Sequence, residues 1–225
     1  MTAYFVTSTG TDVGKTFVTA GLVRHFRARG DAVAALKPVV SGYNPSTVET
    51  SDPAVLLAAL GRPVTADAVG EIAPFRFRAP LSPDLAAARE GKSLNFETLV
   101  GFGREAVAAS TGTLFIEGVG GIMVPLDATR TVLDWMIALR LPVILVVGSY
   151  LGTISHTLTA LDVLTRHDLS VRAIVVSESE RAAVPLADTV ASIARFSEGL
   201  PAIALPRLPA GVTEHAAFAE LAALL

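Results

Sequence analysis

No cysteine occurs anywhere in the 225 residues, which excludes disulfides, thiolate metal sites and cysteine nucleophiles. Charge is scarce too: Asp, Glu, Lys and Arg make up 17% of the chain, against 51% hydrophobic residues. A chain this apolar buries enough surface to fold, so disorder is excluded. Neither sign of charge dominates, and a formal net charge of −3 offers no basic footprint for nucleic acid. The apolar run "LPVILVVG" at 141–148 is too short to cross a bilayer, so no membrane partner is expected. The opening "MTAYFVTSTG" has no charged leader and reads directly as a strand, which implies no signal peptide and a cytoplasmic location. Repeats, low-complexity tracts and long linkers are missing as well. The length then suits one domain spanning 1–225.

What is present is an alternation of two kinds of segment. "AYFVT", "AVAALKPVV", "TLFIEG", "LPVILVVG", "VRAIVVS" and "AIAL" are continuous apolar runs, read as buried strands. Between most of them lie helical patterns. After the first run, Phe17, Val18, Ala20, Leu22, Val23 and Phe26 keep helical spacing until Gly30 stops it. "FETLVGFGREAVAAS", "TRTVLDWMIAL", "TISHTLTALDVLTRH" and "VPLADTVASIARF" behave likewise, and "EHAAFAELAALL" closes the chain with one more. "SGYNPSTVETSDP" is a polar loop before a short helix "AVLLAAL". Apolar strands separated by helices predict an α/β fold: a doubly wound, mostly parallel sheet with helices on both faces.

The loop after the first strand carries the chemistry. "STGTDVGKT", Ser8 to Thr16, falls short of the usual phosphate-loop pattern, because Thr9 stands where the first glycine belongs. Gly14, Lys15 and Thr16 nevertheless occupy a strand-to-helix turn, where unpaired N–H groups and the helix dipole attract phosphate. Lys15 suits the β- and γ-phosphates, and the Thr16 hydroxyl suits Mg²⁺. A metal–nucleotide site also needs a carboxylate. Glu117 ends the strand "TLFIE" just before the glycine-rich "GVGG", at the edge where parallel sheets bind ligands. Asp52, before "AVLLAAL", reads on its own equally well as a helix cap. Lys37 closes the strand "AVAALK" before Pro38, a position that favours a lysine only if an anion meets it.

Together these residues resemble the dethiobiotin synthetase family over nearly the whole chain. The likeness lies in "GTDVGKT", "KPVVSG" at 37–42, "SD" at 51–52, "PLSP" at 80–83, "EGVGG" at 117–121, "DW" at 134–135, and "LPVILVVG" followed by "LGTISHTL". The family has a P-loop NTPase-like fold with a phosphate loop of wider glycine spacing. The resemblance implies that Thr11, Asp12, Val13, Gly14, Lys15, Thr16, Phe17 and Glu117 hold the nucleotide, with Ser177, Pro206 and Leu208 about its base. It implies Mg²⁺ on Thr16, Asp52 and Glu117, and catalytic roles for Lys15, Lys37 and Ser41. Ser41, Gly118, Val119, Gly120, Leu151, Gly152 and Ser155 would bind the substrate, the last three across a homodimer interface.

The implied reaction joins 7,8-diaminononanoate to CO₂ or bicarbonate with ATP as co-substrate. Four positions depart from the family's habit. Ser8 replaces glycine, Asp84 replaces histidine, Tyr150 replaces lysine, and Ser177 replaces the asparagine that reads adenine. Serine offers fewer directional hydrogen bonds, so relaxed base preference, with GTP or CTP partly replacing ATP, is expected. His156 is read as a residue of a helix start, not a general base. Two alternatives share the loop: a partitioning-type ATPase switch and a related ATP-dependent amidoligase. The first usually has a further lysine early in the loop, missing from Ser8 to Val13; the second usually carries a cysteine-dependent glutaminase domain, for which this chain has neither length nor cysteine.

Overall fold

Strands that are apolar on both faces have no side to show to solvent, and here they form the centre of a layered molecule. The computed structural model describes residues 2–225. Strand β1 (Thr2–Ser8) leads through the glycine-bearing loop into helix α1 (Lys15–Ala28), followed by β2 (Val33–Leu36) and β3 (Val39–Ser41). A 3₁₀ turn at Pro45–Thr50 precedes α2 (Asp52–Ala59), α3 (Ala66–Ile72), β4 (Phe75–Phe77) and α4 (Pro83–Arg89). Then come α5 (Phe96–Ala109), β5 (Thr113–Glu117), α6 (Val132–Leu139) and β6 (Val143–Val147). The remainder is α7 (Thr153–Arg166), β7 (Val171–Ser177), α8 (Leu186–Phe196), β8 (Ala202–Leu205) and α9 (Ala216–Ala222).

Six strands make one parallel sheet in the order β2-β5-β1-β6-β7-β8, while β3 and β4 pair separately. From β1 the chain moves outward to β2, then returns past β1 in the other direction to β6, β7 and β8. Right-handed crossovers running in opposite directions put their helices on opposite faces. Accordingly α1 packs with α2 and α9, whereas α5 packs with α6 and α7 with α8. Trp135 of α6 stands edge-on to Phe5 of β1, with ring centroids 4.8 Å apart and both side chains fully buried. Such a pair adds about 0.5–1.5 kcal/mol beyond its buried area and fixes α6 to the central strand. Among the described residues, no helix is long and apolar enough to cross a membrane.

The run "AVAALKPVV", expected as one strand, is two. Pro38 has no N–H to continue a ladder, so β2 ends at Leu36 and Val39–Ser41 pairs with β4 instead. Lys37 therefore falls at the break, with its own N–H bonded to the Ile72 carbonyl at 3.0 Å. The cap of α2 is Ser51, whose hydroxyl accepts from Ala54 N at 3.4 Å. Asp52, which also reads as a cap from sequence, is the first helical residue, and its carboxylate turns toward Lys37.

Candidate active site

All six parallel strands point their carboxyl ends to one edge, and the winding reverses at β1, which opens a crevice there. Ser8, Glu117 and Ser177 are the last residues of β1, β5 and β7, and Lys37 is the residue after β2. Gly14 makes the turn into α1 at φ +93, in the left-handed region that suits glycine. A Cβ there would also stand 2.7 Å from Ser177 Oγ. The turn aims the open N–H groups of α1 into the crevice, as a phosphate site requires.

Lys15 folds back into this loop. Its Nζ donates to Ser8 Oγ at 2.9 Å and to the Gly10 carbonyl at 3.1 Å. Burial and then repulsion from Lys37 bring its pKa down to about 8, opposed in part by Glu117, Asp52 and Asp12. Ser8 is itself fully buried, and its Oγ lies 2.6 Å from the Gly10 carbonyl and 2.9 Å from that of Gly120. Where the family commonly has glycine, this serine links the phosphate loop to the loop after β5.

Beside Lys15 is a denser cluster. Glu117, fully buried, accepts from Thr16 Oγ1 at 2.6 Å and from Lys37 Nζ at 2.7 Å, both through Oε1. Lys37 Nζ also donates to the Gly118 carbonyl at 2.8 Å and lies 3.2 Å from Asp52 Oδ2. Burial works to discharge Lys37, but Glu117 and Asp52 more than offset it and hold its pKa above the ordinary lysine value. Burial likewise acts to raise the Asp52 carboxyl, and the charge of Lys37 holds it below the usual range. Glu117 Oε2 and Ser41 Oγ are buried with no hydrogen-bond partner.

Above the cluster lies a cavity of about 820 Å³, and an adjoining one of about 480 Å³ reaches across Asp12, Gly14 and Phe17. The larger brings together Thr11, Lys15 and Thr16 with Lys37, Ser41 and Asp52, and with Val119 and Gly120 of the loop after β5. The smaller is lined by Val13, Ser177, Pro206 and Leu208. Glu117 and Gly118 line neither cavity; they are joined to the larger one only through their bonds to Lys37. Leu151, Gly152 and Ser155 are not brought to either cavity; they are exposed at the start of α7, Leu151 to 87%. There the Tyr150 hydroxyl meets His156 Nδ1 at 2.9 Å. Asp84 lines neither cavity.

Several neighbours of the site carried no signal of their own. Tyr43 walls the larger cavity beside Pro80 and Leu81, which belong to the "PLSP" already singled out in the sequence. Glu178 and Arg207 border the smaller one, joined by Arg207 N donating to Glu178 Oε2 at 2.9 Å.

A family model described as an AAA domain matches residues 2–214. The ATP-dependent dethiobiotin synthetase of Acidiphilium cryptum is 46% identical over 89% of this chain and 91% of its own. That of Methylobacterium nodulans is 52% identical over 88% and 90%. The chain belongs to the dethiobiotin synthetase family. Solved structures similar to this dethiobiotin synthetase fold include the cell division ATPase MinD of Pyrococcus furiosus, with a TM-score of 0.61 at 17% identity over 100% of this chain and 98% of that one. A ParA family ATPase of Chlorobium tepidum gives 0.54 at 13% identity, over 92% and 84%. At such identities the likeness is of fold, and the P-loop ATPase architecture is common to all three.

Proposed function

We propose that the chain makes dethiobiotin from 7,8-diaminononanoate, CO₂ and ATP. The observation that carries this reading is the convergence of two buried lysines, a threonine hydroxyl, the Asp52 carboxylate and an unpartnered serine hydroxyl on one cavity, with the Glu117 carboxylate bonded to them from below. One amine of the substrate takes up CO₂ as a carbamate, losing a proton. A carbamate oxygen attacks the γ-phosphorus and ADP leaves. The second amine then attacks the carbonyl carbon of the mixed anhydride, and phosphate departs as the ring closes. None of these steps needs a protein nucleophile. The protein positions the reactants and offsets developing negative charge.

Lys15 and the amides from Thr11 to Thr16 hold the phosphates in this reading, and Lys37 faces the γ-phosphate and the carbamate. Ser41 donates to the carbamate or an amine, which would give its buried hydroxyl a partner. Mg²⁺, a hard cation that takes oxygen ligands, fits Thr16 Oγ1, Asp52 and Glu117, whose Oε2 is buried without a partner. When bound, it supplies charge neutralisation on the β- and γ-phosphate oxygens.

The finer parts of the reading follow. Ser177 in the base cavity supports relaxed base preference, so that GTP or CTP partly replaces ATP. Leu151, Gly152 and Ser155 lie outside both cavities of their own chain, which supports a homodimer in which they reach the partner's substrate. One domain spans 1–225 and works in the cytoplasm, without nucleic-acid or membrane partners.

The test is phosphate release by the purified protein with Mg-ATP and bicarbonate, with and without the diamine, and the product identified by mass. Diamine-dependent phosphate and a dethiobiotin mass are expected; nucleotide hydrolysis indifferent to the diamine refutes the reading. Lys37→Ala is expected to lose on the order of 10²–10³ in kcat, the usual effect of removing one charge-stabilising group. Near-normal turnover would remove Lys37 from the mechanism.

A further inference from the structure

A lysine ammonium has three N–H donors, and Lys37 meets three oxygens of the protein. It donates to Glu117 Oε1 at 2.7 Å and to the Gly118 carbonyl at 2.8 Å, and forms an ion pair with Asp52 Oδ2 at 3.2 Å. The Lys37 side chain is only 4% exposed and that of Glu117 0%, so solvent screens this pair weakly. Lys15 differs: Ser8 and Gly10 engage two of its donors, and one N–H remains for an entering anion. Lys37 must leave a partner before it can touch a phosphate.

Two of the partners it holds are the carboxylates to which the metal is assigned above. We propose that Lys37 is also the specificity-determining residue that admits a metal–nucleotide complex and excludes free divalent metal. Its ammonium and the cation compete for Asp52 and Glu117, and Lys37 yields only when phosphates arrive to receive it. The inference rests on the metal-ligand set of the preceding subsection.

Charge supports it. Two lysines already balance the buried Glu117 and the half-exposed Asp52, so a bare divalent ion would add uncompensated positive charge beside the positive end of α1. A nucleotide supplies the missing anions together with its metal. The donor set agrees as well. Thr16, Asp52 and Glu117 offer one hydroxyl and two carboxylates, which leaves coordination positions that phosphate oxygens would fill alongside water.

Mn²⁺, followed by electron paramagnetic resonance, is the probe. The wild-type protein is expected to bind it saturably only when a non-hydrolysable ATP analogue is present. Lys37→Met is expected to bind Mn²⁺ alone roughly 30-fold more tightly, the effect of removing a unit charge about 4 Å from a divalent ion even at the dielectric of water. Glu117→Gln is expected to weaken Mn²⁺ in the nucleotide-saturated protein. Unchanged Mn²⁺ affinity in a folded Lys37→Met overturns the inference. So does tight Mn²⁺ binding by the wild type without nucleotide, whatever the fold of the variant. Undiminished Mn²⁺ affinity in nucleotide-saturated Glu117→Gln would instead overturn the ligand set on which it rests.

Discussion

Replacing Glu117 by glutamine keeps the shape of the side chain and removes its charge from beneath the site. Glu117 is 0% exposed, and its Oε1 holds both Thr16 and Lys37, at 2.6 and 2.7 Å. After the change Lys37 keeps Asp52, whose side chain is 45% exposed, and the Gly118 carbonyl. Removing one partner of a buried ion pair costs about 3–5 kcal/mol when the other charge is left uncompensated, and here the half-exposed Asp52 compensates Lys37 only in part. The glutamine oxygen still accepts one hydrogen bond, so the expected loss is at the lower end, about 3 kcal/mol. For a chain of this size each kcal/mol moves the midpoint by about 2–4 °C, which gives a fall of roughly 6–12 °C without ligand. The double variant Lys37→Met/Glu117→Gln removes the Lys37 charge as well, leaving Asp52 to solvent at its half-exposed position. Replacing a buried pair by uncharged groups of similar volume is often neutral, so most of the lost midpoint should return. Thermal melts of the wild type, both single variants and the double variant form a cycle that isolates the pair. A Glu117→Gln midpoint unchanged from the wild type, or a double variant that falls by the sum of the singles, would refute the reasoning.

Lys15, with a pKa near 8 in the folded chain against the ordinary 10.5, gives a pH signature of known sign. Below about 8 it is charged in both folded and unfolded chains, and its desolvation is fully felt. Between about 8 and 10.5 the folded chain gives up the proton first, so this unfavourable contribution to stability is relieved as pH rises. Nucleotide binding needs the ammonium and runs the other way: calorimetry near pH 8.5, in buffers of different ionisation heat, should show proton uptake in the wild type and less in Lys15→Arg. Equal uptake in both would remove Lys15 as its source. Ser177→Asn should raise the preference for ATP over GTP roughly tenfold, the worth of one well-placed hydrogen bond; an unchanged ratio in a competition assay contradicts the base-site assignment. Leu151→Asp should convert the proposed dimer to monomers in sedimentation, and a dimer that persists would put Leu151 outside the interface. Gly14→Ala adds a Cβ 2.7 Å from Ser177 Oγ at a backbone φ of +93, so it should lose nucleotide binding while the fold survives; wild-type affinity would show that the turn tolerates a side chain.

The sheet was legible because its strands are apolar on both faces and helices with clear spacing lie between them. Gly14, Lys15, Thr16 and Glu117 were legible for a related reason: a glycine-bearing turn after a buried strand, and an acid at a strand's end, occupy the edge where such sheets bind. The break at Pro38 was legible in principle, since a proline without an N–H interrupts a ladder, yet the apolar pattern of 32–40 hides it. Asp52 was not separable from a helix cap, because its contact with Lys37 depends on how α2 is carried back over the sheet, a tertiary fact with no local mark. The same holds for Ser8. Its identity showed a departure from the family, but its hydroxyl's bonds to Lys15 and to the Gly120 carbonyl arise only once β1 and the loop after β5 are side by side. Leu151, Gly152 and Ser155 stand apart for yet another reason, since the substrate assigned to them would be bound by a second copy of the chain.

Transfer of a carbamate oxygen to phosphorus is the claim on which the whole account depends. The direct measurement is turnover of Mg-ATP and 7,8-diaminononanoate with freshly dissolved ¹⁸O-labelled CO₂, and mass analysis of the phosphate released. One labelled oxygen in each phosphate, with the other left in the ureido carbonyl of dethiobiotin, is the predicted result. Unlabelled phosphate would mean that water, and not the carbamate, attacks the nucleotide, and the chemistry assigned to Lys37 and Ser41 would fail with it.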